Sequence, residues 1–235
     1  MTELDRIRAE YGRRAQDPRL QGRYSPFRTD VQFTMQTRER AILHMLRRAG
    51  FEPLSRLDLL EVGCGEGGVM LDLVRWGAEG TRLDGCDLLP ERLRSAWRRL
   101  PAGTRLAAAD GGALPYPDGR FDLVLQFTVF TSVLDEVLRQ KIAREMWRVL
   151  RPGGAVLWYD FRFQGRNPAV QAIQPREVWA LFPEGAFTAC RVTLAPPITR
   201  RLARWSWLAC EVLDRIPSLR THDLMLIRKG EATHG

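Results

Sequence analysis

Residues 59–78 read LLEVGCGEGGVMLDLVRWGA. A short apolar run closes on Gly63, Gly65 and Gly68, spaced G-x-G-x-x-G, and a helical pattern opens beyond them. Glycines in a strand-to-helix turn let a ligand touch the backbone, because no Cβ intervenes. The helix N-terminus that follows presents free N–H groups and partial positive charge. The stretch therefore predicts a strand, a ligand-binding turn and a helix.

Working outward, an acidic residue closing the next strand can grip both hydroxyls of an adenosine ribose. Asp87 ends LDGCD, 22 residues after Gly65. The pair predicts an adenosine-containing cofactor and leaves open a nicotinamide dinucleotide or S-adenosylmethionine. Two further carboxylates bear on that choice. Glu61 precedes the loop, where it is awkward beside a pyrophosphate and useful beside a cationic amino-acid end. Asp110, ending LAAAD, is placed to accept from an adenine amino group.

From Leu57 to Tyr159 short apolar runs alternate with helix-period segments, the signature of parallel βαβ units. Strands are expected at 58–62, 82–86, 104–107, 121–126 and 155–159, with two more at 187–194 and 222–228. Leu93, Ala96, Trp97 and Leu100 make one helix face. Another helix, capped by Ser132 or Asp135, runs to about Leu150 with Leu138, Ile142, Met146 and Val149 inward, and RPGG ends it. Residues 1–56 form an N-terminal extension with a helix at 37–49; residues 57–235 form the main domain. Within it, 195–221 is an insert that reads as one helix by period, with Ile198, Leu202, Trp205, Ala209, Val212 and Ile216 on one stripe.

Four segments taken together, LLEVGCGEGG, LDGCDLLPERL, AAADGGALPYPDGRFDLVLQFTV and MWRVLRPGGAVLWYDF, strongly resemble class I S-adenosylmethionine-dependent methyltransferases over roughly 57–229. The resemblance implies an α/β, Rossmann-like fold: a seven-stranded mixed sheet in the order 3-2-1-4-5-7-6, strand 7 antiparallel, with helices on both faces. It implies S-adenosylmethionine as cofactor and S-adenosylhomocysteine as product. By position, Glu61, Gly63 and Gly65 surround the methionine part, Asp87 the ribose and Leu88 the adenine face. Asp110 with Gly111 reads the adenine edge, and Gln126 with Phe127 lies beneath the sulfonium. Gly68 becomes a helix-packing glycine.

Methyl transfer to a small-molecule acceptor, with a hydroxyl as the attacking group in a natural product or sugar, is the activity expected. The segment QFTVF (126–130) lacks the Asn/Asp-Pro-Pro-aromatic motif of DNA amino-methyltransferases, the paired glutamates of protein arginine methyltransferases and the aspartate of metal-assisted catechol enzymes. Asp160, with Tyr159, ends the fifth strand and is the candidate base or acceptor-orienting group. Tyr24, Phe27 and Phe33 are candidates for a lid over the acceptor. The alternatives are a lipid-linked or quinone acceptor, methylated at carbon or oxygen, and, from another class, a nicotinamide-dependent oxidoreductase.

Composition narrows the partners. The net charge of +8 comes from 36 basic residues, of which only Lys141 and Lys229 are lysine. The arginines are spread through the chain without a basic stripe among aromatics, so no nucleic-acid partner is expected. Cys64, Cys86, Cys190 and Cys210 form no C-x-x-C pair, which argues against a metal site. The charged start MTELDRIRAEYGRR and the lack of an apolar run near the ~20 residues that span a bilayer lead to a cytoplasmic expectation. Residues 198–216 with their arginines offer a possible membrane contact, with a docked helix or dimer contact preferred. A monomer or a homodimer is expected.

Overall fold

The computed structural model describes residues 1–231 apart from 19–21, 24 and 166. Its sheet is built from β1 (Leu59–Val62), β2 (Leu83–Asp87), β3 (Arg105–Ala108), β4 (Phe121–Phe127), β5 (Leu150–Phe161), β6 (Ala186–Leu194) and β7 (Arg220–Arg228), in the order 3-2-1-4-5-7-6. Strands β1 to β5 pair in parallel, and β7 is antiparallel to both β5 and β6. The expected topology is the observed one.

Central parallel strands are buried on both faces, hence their nearly continuous apolar runs. Alternate side chains sort to opposite sides. Leu59, Leu83, Leu123, Leu125 and Leu157 face α2 (Thr29–Arg48) and α3 (Gly68–Arg75). Leu60, Val62, Val124, Val156 and Trp158 face α5 (Glu136–Val149) and α6 (Pro175–Leu181), through Ile142, Met146 and Val178. Asp135, not Ser132, caps α5 by accepting from Leu138 N–H at 3.1 Å.

Several boundaries differ from expectation for identifiable reasons. RPGG does not break the chain between α5 and β5. Gly153 takes a left-handed φ of 76° and the β4/β5 register shifts between Phe121 and Leu123, so the four residues lie inside β5 as an irregularity. Helix α4 (Pro90–Trp97) turns Leu93 and Ala96 inward and leaves Trp97 exposed. Helix α2 begins eight residues before the expected Thr37.

The insert is not one helix. It forms α7 (Pro196–Leu202) and α8 (Trp207–Asp214), separated at Ser206, whose hydroxyl caps α8 by accepting from Ala209 N–H. Inward residues are Ala203 and Cys210, with Ile198, Leu202, Trp207 and Leu213 partly buried; Trp205, Val212 and Ile216 point outward. Helix α1 (Glu3–Gln16), in the N-terminal extension ahead of the expected helix, opens on a capping box between Thr2 and Asp5.

Candidate functional site

The carboxyl ends of β1, β2, β3 and β4 meet where the strand order reverses, between β1 and β4, the place where open α/β sheets bind ligands. A cavity along this edge is walled by Val62, Gly63, Asp87, Leu88, Asp110, Gly111, Phe127 and Val129, and by Leu4, Ile7 and Tyr11 of α1.

The glycine turn has a physical requirement at two positions. Gly63 (φ 73°) and Gly65 (φ 54°) are left-handed, and a Cβ on Gly63 would overlap the Val129 side chain. A Cβ at Gly65 would run into the Arg92 guanidinium. Gly68 is different: a Cβ there meets open space, so it is not the helix-packing glycine. Gly67 has that part, its missing Cβ lying against Ala96 and Leu100.

Asp87 fixes the turn to the next strand. Its Oδ2 accepts Gly65 N–H at 2.8 Å and its Oδ1 accepts Leu89 N–H at 2.9 Å. A carboxylate oxygen has two lone pairs, so both oxygens keep capacity for ribose hydroxyls. Asp110 is arranged likewise, with Oδ1 accepting Gly112 N–H at 2.8 Å.

Glu61 lies behind the turn, 2 % exposed, and its Oε2 has no hydrogen-bond partner. Burial pushes its carboxyl up to about 8, with Arg38 pulling down and Asp87 pushing up by smaller amounts. An orphaned buried carboxyl beside a glycine turn fits a ligand that brings a cation, as the amino-acid end of S-adenosylmethionine does. The donor set therefore fits that cofactor: a partnerless acid, an edge of bare backbone, and two carboxylates at successive strand ends.

On the other side of the cavity, the turn after β4 is strained. Thr128 has a φ of 58°, donates its N–H to Tyr159 O at 2.8 Å, and is followed by Val129, whose N–H goes to Gln126 Oε1 at 3.0 Å. Gln126 is thus buried beneath the turn and not on the wall, whereas Phe127 is on it. Asp160 also supports this turn. Its Oδ1 accepts Thr131 Oγ1 at 2.6 Å and Phe161 N–H, and its Oδ2 accepts Thr131 N–H.

Burial pushes the Asp160 carboxyl up to about 7 against those three bonds. Tyr159 shares a 2.8 Å bond with Thr193 Oγ1 and stacks on His222, whose imidazole burial drives down to about 4. Neither Asp160 nor Tyr159 stands on the cavity wall.

The expected lid residues are elsewhere. Phe33 is fully buried against Trp207, ring centroids 5.1 Å apart, and Phe27 is 93 % exposed and off the wall. Tyr24 lies outside the described residues. Helix α1 covers the cavity instead. Arg6 donates to Ser132 O at 2.6 Å, Glu3 Oε1 accepts Leu134 N–H, and Tyr11 OH meets Ser132 Oγ at 3.3 Å.

Arg92 ties this cover to the glycine turn, standing 5.0 Å from the Tyr11 ring centroid and 3.8 Å from Asp87 Oδ2. Leu4, Ile7 and Tyr11 stand at i, i+3 and i+7, a signal present in the sequence. For Arg92 the only signal is its place one turn into the helix after Asp87, where it reads as a solvated arginine.

Residues 60–158 match the model of a family described as a methyltransferase domain. Among curated relatives, a norajmaline N-methyltransferase of Rauvolfia serpentina is 30% identical over 51% of this chain and 41% of its own. A demethylmenaquinone methyltransferase of Thermus thermophilus is 34% identical over 44% of this chain and 46% of its own. The chain thus spans less than half the length of either. A solved Thermotoga maritima structure, described as an S-adenosylmethionine-dependent methyltransferase and possible histamine N-methyltransferase, covers 97% of this chain and 98% of its own. Its TM-score is 0.60 at 16% identity, a likeness of fold.

Proposed function

From the premise that this chain carries a class I S-adenosylmethionine-dependent methyltransferase domain, we propose that it transfers a methyl group from S-adenosylmethionine to a small-molecule acceptor. The observation that carries the reading is the partnerless, buried Glu61 carboxyl behind the glycine turn, with Asp87 at the end of the next strand. The relatives' names point to acceptors as different as norajmaline and demethylmenaquinone, so the match supports the donor and leaves the acceptor to this chain's own residues.

Bound S-adenosylmethionine supplies a methyl group already activated by positive sulfur, so positioning is the main demand on the protein, and alignment alone contributes on the order of 7–11 kcal/mol. In this reading Glu61 holds the ammonium of the amino-acid end and the edge of Gly63 and Gly65 admits it without side chains. Asp87 accepts from the ribose hydroxyls. Leu88 covers the adenine, and Asp110 with Gly111 reads its edge. Phe127 and Val129 close the reacting end, and Gln126 and Asp160 act as positioning residues by holding the 126–131 turn. Helix α1 is the lid, excluding water through Leu4, Ile7 and Tyr11.

Among the described residues the only carboxylates on the cavity wall are Asp87 and Asp110, both assigned here to the cofactor. With no third acid to serve as base, the acceptor is a hydroxyl that ionises readily, as phenols do. The protein works in the cytoplasm in this reading, with Cys64, Cys86 and Cys210 kept as buried thiols. Calorimetric titration of the folded chain with S-adenosylhomocysteine tests the donor half; no heat at millimolar ligand overturns it. Transfer of a labelled methyl to phenols but not to matched aliphatic alcohols tests the acceptor half, and the reverse preference overturns it.

A further inference from the structure

Helix α8 is apolar on two faces. Trp207, Cys210 and Leu213 pack against Phe33 and Leu194, which accounts for one. Leu208 and Val212, one turn apart in α8, face solvent at 73 % and 53 % exposure, and Trp205, just before the extended Ser206 cap, and Ile216, just past the helix end, are exposed at 77 % and 43 %, making an outward apolar stripe along the segment. Large apolar side chains gathered in one exposed patch mark an interaction site, so this outer stripe calls for a covering surface.

The charges around the stripe say what kind. Arg200, Arg201, Arg204 and Arg215 are all exposed, and Arg204 stands 5.1 Å from the Trp205 ring centroid. The acids of the same segment are already engaged, Glu211 by Arg40 at 2.7 Å and Asp214 by Arg220 at 3.0 Å. Among the described residues no carboxylate lies within ion-pair distance of Arg201, Arg204 or Arg215. An apolar stripe with a tryptophan at one end and a rim of free arginines complements an anionic, apolar-cored surface. A second copy of the same face is disfavoured, because a two-fold contact brings these arginines towards their own copies.

The stripe also lies at the right edge of the molecule. Because β7 is antiparallel to β5 and β6 is antiparallel to β7, the carboxyl end of β6 lies at the same edge as those of β1, β4 and β5. Helix α7 starts two residues beyond that end, so the insert stands at the sheet edge that carries the cavity.

We propose that the outer face of α7–α8 docks the protein peripherally on an anionic lipid bilayer, with Trp205 and Leu208 entering the interface and the arginines meeting the headgroups. As a consequence, resting on the methyl-transfer reading above, the acceptor is a molecule dissolved in or anchored to that bilayer. No helix among the described residues is long and apolar enough to cross a membrane, so the contact is one of surface docking through this face.

The test is flotation of the full chain with vesicles of phosphatidylcholine alone or with about 40% phosphatidylglycerol, whose negative surface potential attracts basic side chains. The expected result is binding to the anionic vesicles only, weakened at least fivefold by 0.5 M salt and at least tenfold by the pair W205S and L208S. The same pair leaves S-adenosylhomocysteine affinity unchanged, which separates loss of docking from misfolding. Failure of the donor reading does not alter the flotation.

Absence of binding to both vesicle types overturns the proposal. So does equal binding to neutral vesicles. A concentration-dependent dimer in sedimentation, abolished by W205S and L208S, reassigns the face to a second copy and overturns it as well.

Discussion

The cavity has two walls of different making. One, from Val62 to Asp110 with Glu61 behind it, is assembled at the ends of β1, β2 and β3, where main-chain N–H groups of Gly65 and Leu89 fix Asp87 and that of Gly112 fixes Asp110. The other comes from α1 and the turn after β4, and is placed by side chains: Arg6 to Ser132, Glu3 to Leu134, Asp160 to Thr131. The first wall repeats a local pattern that any sheet of this topology presents. The second depends on side-chain contacts between separate segments, Arg6 to Ser132 and Glu3 to Leu134 more than a hundred positions apart and Asp160 to Thr131 29 apart. On the function proposed above, donor recognition falls to the strand ends and acceptor choice to the appendages.

The largest effect expected to break this comparison is on the first wall. Asp87→Ala removes two hydrogen bonds to a charged group, each worth about 1.5–3 kcal/mol, and the ribose contact with them. S-adenosylhomocysteine affinity should fall by about a hundredfold or more in calorimetry. An unchanged dissociation constant removes Asp87 from the site.

Glu61→Gln keeps shape and loses charge, and should cost about tenfold in the same measurement. Its sharper signature is in protons. With its carboxyl pushed up to about 8, Glu61 is mostly protonated at pH 7 in the free protein. A cationic ligand favours the ionised form, so binding at pH 7 should release close to one proton, and affinity should climb from pH 6 towards 8. The climb ends there, because the carboxyl is then ionised and an α-amino group begins to lose its own proton. Titration in buffers of different ionisation enthalpy reads this directly; in Glu61→Gln the release should vanish. Release that persists in the variant assigns the proton to another group.

The smallest effect belongs to the second wall. Tyr11→Ala removes the ring beside Arg92 and the contact with Ser132, and should weaken S-adenosylhomocysteine by about three- to fivefold, the scale of one cation–π contact. The melting temperature should hardly move, since α1 is a cover and not part of the sheet. A loss as large as that of Asp87→Ala would merge the two walls into one device.

The linkage sign for the protein alone is equally definite. The carboxyls of Glu61 and Asp160 are raised in the fold, to about 8 and about 7. Stability from keeping them neutral is full below their ordinary values and is lost as pH rises through those raised ones. Heating scans should show Tm falling between about pH 5 and 8, with a flatter profile in Glu61→Gln.

Much of the first wall was legible in the sequence because its signals are periodic and local. The apolar runs mark strands buried on both faces, the glycines need positive φ, and an acid at each strand end recurs at βαβ spacing. What failed were the readings of the segments outside the sheet. The insert stripe through Trp205 and Val212 was expected inward, yet Ser206 ends one helix and starts another, and the stripe turns to solvent. Phe33, expected in a lid, fills a gap beneath Trp207. Periodicity gives the faces of a helix but not which one meets the core.

The amino-acid sequence by itself marked the strands, the turn glycines and the acids at the strand ends, since hydrophobic period and βαβ spacing are properties of neighbouring residues, and the family resemblance of those segments implied the sheet order that the fold shows. Only the tertiary structure decided that Glu61 Oε2 has no hydrogen-bond partner, that Arg92 joins Tyr11 to Asp87, that Asp160 supports a turn, and that α8 keeps apolar side chains outward. Each of these depends on which distant segment lies opposite a side chain, and on the balance of burial against hydrogen bonding there, which no local pattern encodes.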